Sequence, residues 1–235
     1  MPLLSDKDRA FLLDHLQDAL VSPVRLLLFT QTIVCQFCKE TEAILAELAD
    51  LSDEVNFEVY DLVTDKELAD QYGVDKIPAT VVMGEVDYGV RFFGIPSGYE
   101  FTSLVEAVID VSKGKTDLSA ETLETLAKLK TPIHMQVFVT PTCPYCPAAV
   151  RMAHSLAVAS DLVRADMVES VEFPHLANKY NVQGVPQTVI NETTLLEGVK
   201  PEPLVAAKVA ETAGLMTAQE VEKLMASHTQ SAKQT

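Results

Sequence analysis

Hydrophobic and polar positions change period along this chain in a regular order. In residues 5–20, Ala10, Leu13, Leu16 and Leu20 recur at roughly helical spacing behind a capping Ser5, which predicts an amphipathic helix. The apolar run VRLLLF (24–29) predicts a strand buried on both faces. Helical spacing returns in Ile44, Leu45, Leu48 and Leu51, in a helix that Cys35 is expected to open. VNFEVYDL (55–62) alternates as a strand, and DKELADQYG (65–73) reads as a short helix closed by Gly73. IPATVVM and YGVRFFG form two further strands, and Phe101, Leu104, Val105, Val108 and Ile109 share one helical face. After the leading helix the order is β-α-β-α-β-β-α.

The same order recurs: strand 135–140, helix from about 144, strand 162–168, helix 173–180, strands 186–190 and 193–197, helix 202–213. A last helix starts at Thr217, whose TAQE is a capping-box pattern, and SHTQSAKQT reads as a frayed tail. Cys35 and Cys143 lie 108 positions apart, and so do Tyr72 and Tyr180, which head YGVDKIPATVV and YNVQGVPQTVI. Two unrelated features at one offset identify a tandem duplication. LLLFT and MQVFVT lie 110 apart, so the first half carries two extra residues before its cysteines. The polar interval SKGKTDLS divides the chain into units 1–117 and 118–235, and AETLETLAKLKT after it, stopped by Pro132, matches the leading helix stopped by Pro23. An interval this short predicts that the halves pack as one rigid body.

Composition narrows the function. The 235 residues are 48% apolar, enough for a substantial core. With 34 acidic and 18 basic residues the net charge is -16, which disfavours nucleic acid and anionic membrane. The opening carries acids where a signal peptide needs basic residues, and no apolar run is as long as a membrane span, so a cytoplasmic location is expected.

All four cysteines fall in C-x-x-C pairs, CQFC at 35–38 and CPYC at 143–146, each at a strand-to-helix junction. There the first sulfur meets unpaired N–H groups at the positive end of a helix dipole, which favours thiolate over thiol. The second thiol is within reach of the first, making a dithiol able to exchange reversibly. Four-thiolate zinc binding is the rival, but zinc ribbons separate their pairs by roughly 15–20 residues. Pro78 and Pro186 each follow the leading cysteine by 43 positions at the start of a strand, where a cis bond is one accommodation. That arrangement leaves the backbone of Ile77 or Val185 free to pair with an extended peptide. Pro144 is expected at the first helical position, ordering the second site better than Gln36 orders the first and making Cys143 the principal nucleophile. Arg151 and His154 follow Cys146 at helical spacings, either tuning the site or lying on a solvated face. Lys39 reads as a solvated charge, and Tyr72 and Tyr180 as core.

CPYC with GVPQT in this element order resembles the thioredoxin and glutaredoxin superfamily. Doubled, with CQFC in the first unit and TPTCPYCP in the second, it resembles the glutaredoxin-like protein disulfide oxidoreductases. The resemblance implies an α/β fold of two tandem thioredoxin-like units, each a central mixed β-sheet flanked by helices. It implies Cys35 and Cys143 as attacking cysteines, Cys38 and Cys146 as resolving ones, and cis Pro78 and Pro186, with Ile77 and Val185 beside them in the substrate edge. It also implies disulfide-containing protein substrates and a flavin-containing thioredoxin reductase as electron source. The chain departs from thioredoxin in lacking WCGPC. Phe29 and Val137 stand six residues before the leading cysteines, where thioredoxin carries a buried acid, so the proton acceptor must be another group or water. No Gly-rich dinucleotide fingerprint is present, so no bound cofactor or metal is expected and a separate reductase is needed. The rival functions are electron donation to a peroxiredoxin, as the doubled segment of the alkyl hydroperoxide reductase flavoprotein suggests, a redox-inert binding module or chaperone, and a zinc-binding protein.

Overall fold

The computed structural model describes residues 4–31, 33 and 35–231. The first half runs α1 (Asp6–Ala19), β1 (Val24–Thr30), α2 (Cys38–Ala49), β2 (Val55–Asp61), α3 (Lys66–Gln71), β3 (Ala79–Met83), β4 (Val90–Phe93) and α4 (Glu100–Lys113). The second repeats it as α5 (Ala120–Leu126), β5 (Ile133–Val139), α6 (Cys146–Val158), β6 (Val163–Glu169), α7 (Pro174–Lys179), β7 (Gln187–Ile190), β8 (Thr194–Glu197) and α8 (Glu202–Thr212), and adds α9 (Ala218–Ser231). The expected element order is therefore present in both halves.

The two sheets are not separate. All eight strands form one sheet in the order β2-β1-β3-β4-β6-β5-β7-β8. Within each half the first two strands are parallel and the last two antiparallel, and the halves join head to tail where β4 pairs parallel with β6, Val90 opposite Ala165 and Phe93 opposite Val168.

Strand alternation sends residues to two apolar layers, which explains the continuous apolar runs. Leu26, Leu28, Val137 and Val139 face a layer built with α1, α2, α4, α6 and α8, while Leu27, Phe29 and Phe138 face one built with α3 and α7. Both layers draw side chains from both halves, so the core crosses the junction without a break.

Polar groups reinforce the seam. Asp166, 1% exposed, accepts from Arg164 at 2.8 Å and lies 2.6 Å from His134 Nε2. Burial alone would raise this carboxyl, but His134 and Arg164 outweigh burial and hold it below the usual range. Arg164 also donates to Gly73 O (3.1 Å), while Arg91 pairs with Asp87 and donates to Tyr72 O (3.2 Å). The turn before β3 is thus held by Arg91 from its own unit and by Arg164 from across the junction.

Several expectations are corrected. On α1 the buried positions are Leu12 and Leu16, which pack into the first apolar layer, and Leu13 is exposed. The helix after Ser119 ends at Leu126, short of Pro132. α9 continues through Ser231 behind a capping box in which Thr217 and Glu220 exchange hydrogen bonds (2.7 and 3.3 Å), and residues 232–235 lie outside the described residues.

Candidate functional site

Both C-x-x-C pairs sit beyond the C-terminal ends of equivalent strands, Cys35 after β1 and Cys143 after β5, on one edge of the sheet. Four strand spacings separate β1 from β5, so the sites are roughly 19 Å apart, too far for direct exchange between them. Each pair is closed as a disulfide, Cys35–Cys38 and Cys143–Cys146, with Cα atoms 5.5 Å apart in both. Among the described residues no group of three or more His, Cys, Asp or Glu is arranged to hold a metal ion.

Cys35 does not open its helix as the spacing predicts, and the second helix starts later than residue 144. α2 starts at Cys38 and α6 at Cys146, while Cys35 and Cys143 lie in the turns before them. The proline in the first turn of α6 is Pro147, not Pro144. Pro144 therefore does not order the helix start, because the turn needed to bring the two sulfurs together uses up residues 143–145. At the second site Cys146 N lies 3.2 Å from Cys143 Sγ, so a free amide of the helix's first turn points at the sulfur. Among the described residues the Cys35 sulfur receives no such bond. Cys143 is 8% exposed and Cys146 fully buried, while Cys35 is half-buried and Cys38 buried. Residues 32 and 34, in the longer loop of the first site, lie outside the described residues.

The peptide bonds Ile77–Pro78 and Val185–Pro186 are both cis. Val185 O lies 3.7 Å from Cys143 Sγ, so the proline turn and the sulfur share one surface, and a groove of about 330 Å³ opens beside them between residues 183–187 and 197–198. Tyr72 and Tyr180 are core residues, packed on Phe29 and Phe138.

His154 is not on a solvated face. It is 2% exposed, with Nε2 3.2 Å from Arg91 O and its ring edge-on to Phe92, because α6 lies over the seam strand β4. Burial pushes its imidazole down to about 4, which keeps it neutral. Arg151 reaches Glu106 of α4 at 2.9 Å, and Lys39 is exposed.

Three buried or half-buried carboxyls near this edge escaped the sequence reading. Phe29 and Val137 have apolar surroundings, but Glu100, at the start of α4, is 1% exposed. Its Oε2 accepts from Ser103 Oγ (2.7 Å) and its Oε1 has no partner among the described residues. Burial pushes this carboxyl up to about 7, against the lowering pull of Ser103. The preceding Tyr99 N donates to Pro141 O (3.1 Å), two residues before Cys143. In sequence Glu100 looks like an ordinary acid on a helix's first turn; only the packing of α4 against α6 makes it interior. Glu172 Oε1 accepts from Ile95 N (2.6 Å), and Glu169 Oε2 accepts from Glu172 N (2.6 Å). Burial pushes Glu172 up to about 7 and raises Glu169.

The fold and the paired sites define a class: a doubled thioredoxin fold carrying a C-x-x-C disulfide in each unit. The family model for the thioredoxin domain matches residues 133–211. Among solved structures the chain is similar to a protein disulfide oxidoreductase from Aeropyrum pernix, with TM-score 0.82 and 29% identity over 89% of this chain and 94% of that one. It is also similar to an N-terminal domain of the alkylhydroperoxide reductase AhpF from Enterococcus faecalis, with TM-score 0.81 and 27% identity over 88% and 100% of the two chains. A curated relative, the F component of alkyl hydroperoxide reductase from Pseudomonas putida, is 25% identical over 78% of this chain. The chain spans about a third of that relative's length (33%).

Proposed function

We propose that this chain is a dithiol–disulfide oxidoreductase that reduces, forms or isomerises protein disulfides at its two C-x-x-C centres. The observation that carries the reading is the placement of Cys143 Sγ, 3.2 Å from the first amide of α6 and 3.7 Å from Val185 O. The amide and the helix dipole favour a thiolate once the disulfide is opened, bringing a cysteine pKa to roughly 3.5–7.5 in comparable settings.

In the reducing direction the Cys143 thiolate attacks one sulfur of a substrate disulfide, breaking that bond and releasing a substrate thiolate, which takes a proton from solvent. Cys146 then gives its proton to an internal base and its thiolate attacks Cys143 Sγ, breaking the mixed disulfide and releasing the second substrate sulfur as a thiolate that takes a proton from solvent. Two electrons pass to the substrate and the site returns to its disulfide. Glu100 is our candidate for that base: it starts α4, which packs against the helix that Cys146 opens, next to Tyr99, whose N–H donates to Pro141 O; it is buried, its Oε1 has no partner among the described residues, and a carboxyl near 7 can accept a proton at neutral pH. Cys35 and Cys38 act in the same order at the first site. Val185 and Pro186, and their counterparts Ile77 and Pro78, form the edges against which substrates dock. The two units, 1–117 and 118–235, act together in the cytoplasm with electrons from a separate flavin-containing thioredoxin reductase. Its likeness to the alkyl hydroperoxide reductase AhpF favours a peroxiredoxin as one electron acceptor.

Insulin precipitation in dithiothreitol tests the reading. The protein is expected to accelerate turbidity and the variant with all four cysteines replaced by serine to lose the effect; no acceleration by the intact protein would reject it. Cys146→Ser is expected to accumulate mixed disulfides through Cys143.

A further inference from the structure

The head-to-tail joining of the units treats their two docking grooves unequally. The second unit's proline turn lies toward β7 and β8, at the free end of the sheet, whereas the first unit's lies toward β3 and β4, which face the seam. The glycines that close the grooves are equivalent: Gly94 N donates to Pro78 O (2.9 Å) and Gly198 N to Pro186 O (2.8 Å). A Cβ at Gly198 would meet none of the described residues within 4 Å, and the same is true of Gly184 on the other wall. At Gly94 a Cβ would fall 2.5 Å from Glu169 Cβ and 2.7 Å from Glu172 Oε1. The next amide, Ile95 N, is already taken by Glu172, while its counterpart Val199 is exposed. Lys76, which stands where the second unit has Gly184, is folded over the Phe93 ring at 3.7 Å with its side chain 15% exposed. The wall that is open in the second unit is thus built, in the first, from the second unit's own segment 169–172.

Resting on the oxidoreductase reading, we propose that the two sites serve different substrates: Cys143 takes disulfides in extended polypeptide segments, and Cys35 takes small disulfides that need no strand-like docking. An extended peptide at the second site lies in the groove between 183–187 and 197–198 and pairs with the backbone of Val185. At the first site the same peptide meets Glu169 and Glu172 of the second unit. The chemistry is the same at both sites, substrate disulfide reduced to two thiols and C-x-x-C dithiol oxidised to disulfide, so only access differs.

The test uses two full-length, pre-reduced variants freed of reductant: Cys143→Ser/Cys146→Ser, which keeps the first site, and Cys35→Ser/Cys38→Ser, which keeps the second. Each is mixed with hydroxyethyl disulfide and with an unstructured polypeptide bearing one disulfide, and thiol loss is followed. The ratio of polypeptide to small-disulfide rate is expected to be roughly thirtyfold lower at the first site, as forfeiting two backbone hydrogen bonds and their flanking contacts implies. Gly184→Lys in the second-site variant is expected to lower that ratio toward the first site's, and Glu172→Ala in the first-site variant to raise it. Equal ratios at the two sites, or a ratio indifferent to both substitutions, would overturn the proposal while leaving the oxidoreductase reading intact. Failure of both sites with hydroxyethyl disulfide would instead overturn the oxidoreductase reading.

Discussion

At Glu100 the proposed mechanism turns on one buried carboxyl. Its free Oε1 and its shift to about 7 predict that Glu100→Gln slows resolution of mixed disulfides, by roughly 10²-fold if a positioned base is lost, while leaving alkylation of Cys143 in the reduced protein nearly unchanged. Stopped-flow release of substrate thiol across pH 5–9 checks this: the wild-type rate is expected to rise with an apparent pKa near 7, and the variant to lose that limb. The same residue affects stability with a defined sign. A carboxyl raised from 4.5 in the fold adds stability that is fully present below 4.5 and is lost as pH rises through about 7. His154, lowered from 6.5 to about 4, acts oppositely, its contribution present above 6.5 and lost as pH falls through 4. Urea titrations of Glu100→Gln are therefore expected to show a flatter stability profile between pH 4.5 and 7 than the intact protein.

Among the elements, the caps do more than end helices. Ser119 accepts from Thr122 N (3.3 Å) at the start of α5 and donates to Glu202 Oε1 of α8 (2.7 Å), fastening the second unit's leading helix to its last sheet-covering one. Ser119→Ala is expected to cost about 1–2 kcal/mol, read as a lower urea midpoint with an unchanged slope. α6 shows how an element's start is fixed by chemistry outside its own periodicity. The sequence predicts this helix from about residue 144, but the closure of Cys143 onto Cys146 sets where helical hydrogen bonding can begin.

Over the whole molecule, the β4–β6 pairing turns two units into one body. Its most demanding part is Asp166, whose charge is compensated by Arg164 and His134 under complete side-chain burial. Asp166→Asn leaves Arg164 poorly paired in the seam and is expected to destabilise both units together by roughly 3–5 kcal/mol, with a single unfolding transition by calorimetry. Because the carboxyl is held below its ordinary value of 3.8, this contribution is present above that value and is lost as pH falls further. Limited proteolysis checks the same coupling: cleavage near residues 112–118 is expected to be slow and to yield no independently stable half, since both apolar layers are shared.

The sequence by itself determined the elements, their duplication and the four sulfurs, because these depend on local period and on residue chemistry at fixed spacing. The strand-forming runs VRLLLF and MQVFVT, the capping residues Ser5 and Thr217, the repeated Pro78 and Pro186 and the two C-x-x-C pairs each act over a few residues of chain. What only the tertiary structure decided involves residues brought together from distant positions. No local pattern marks β4 as the partner of β6, since VRFF and VRADMVE would serve equally well as edge strands. Burial of Glu100, Glu169 and His154 and partial burial of Glu172 follow from that pairing and from α4 lying against α6, and so does the difference between an open groove at Pro186 and a walled one at Pro78. Two nearly repeated sequences thus acquire unequal sites because joining them head to tail leaves one proline turn facing solvent and the other facing its twin.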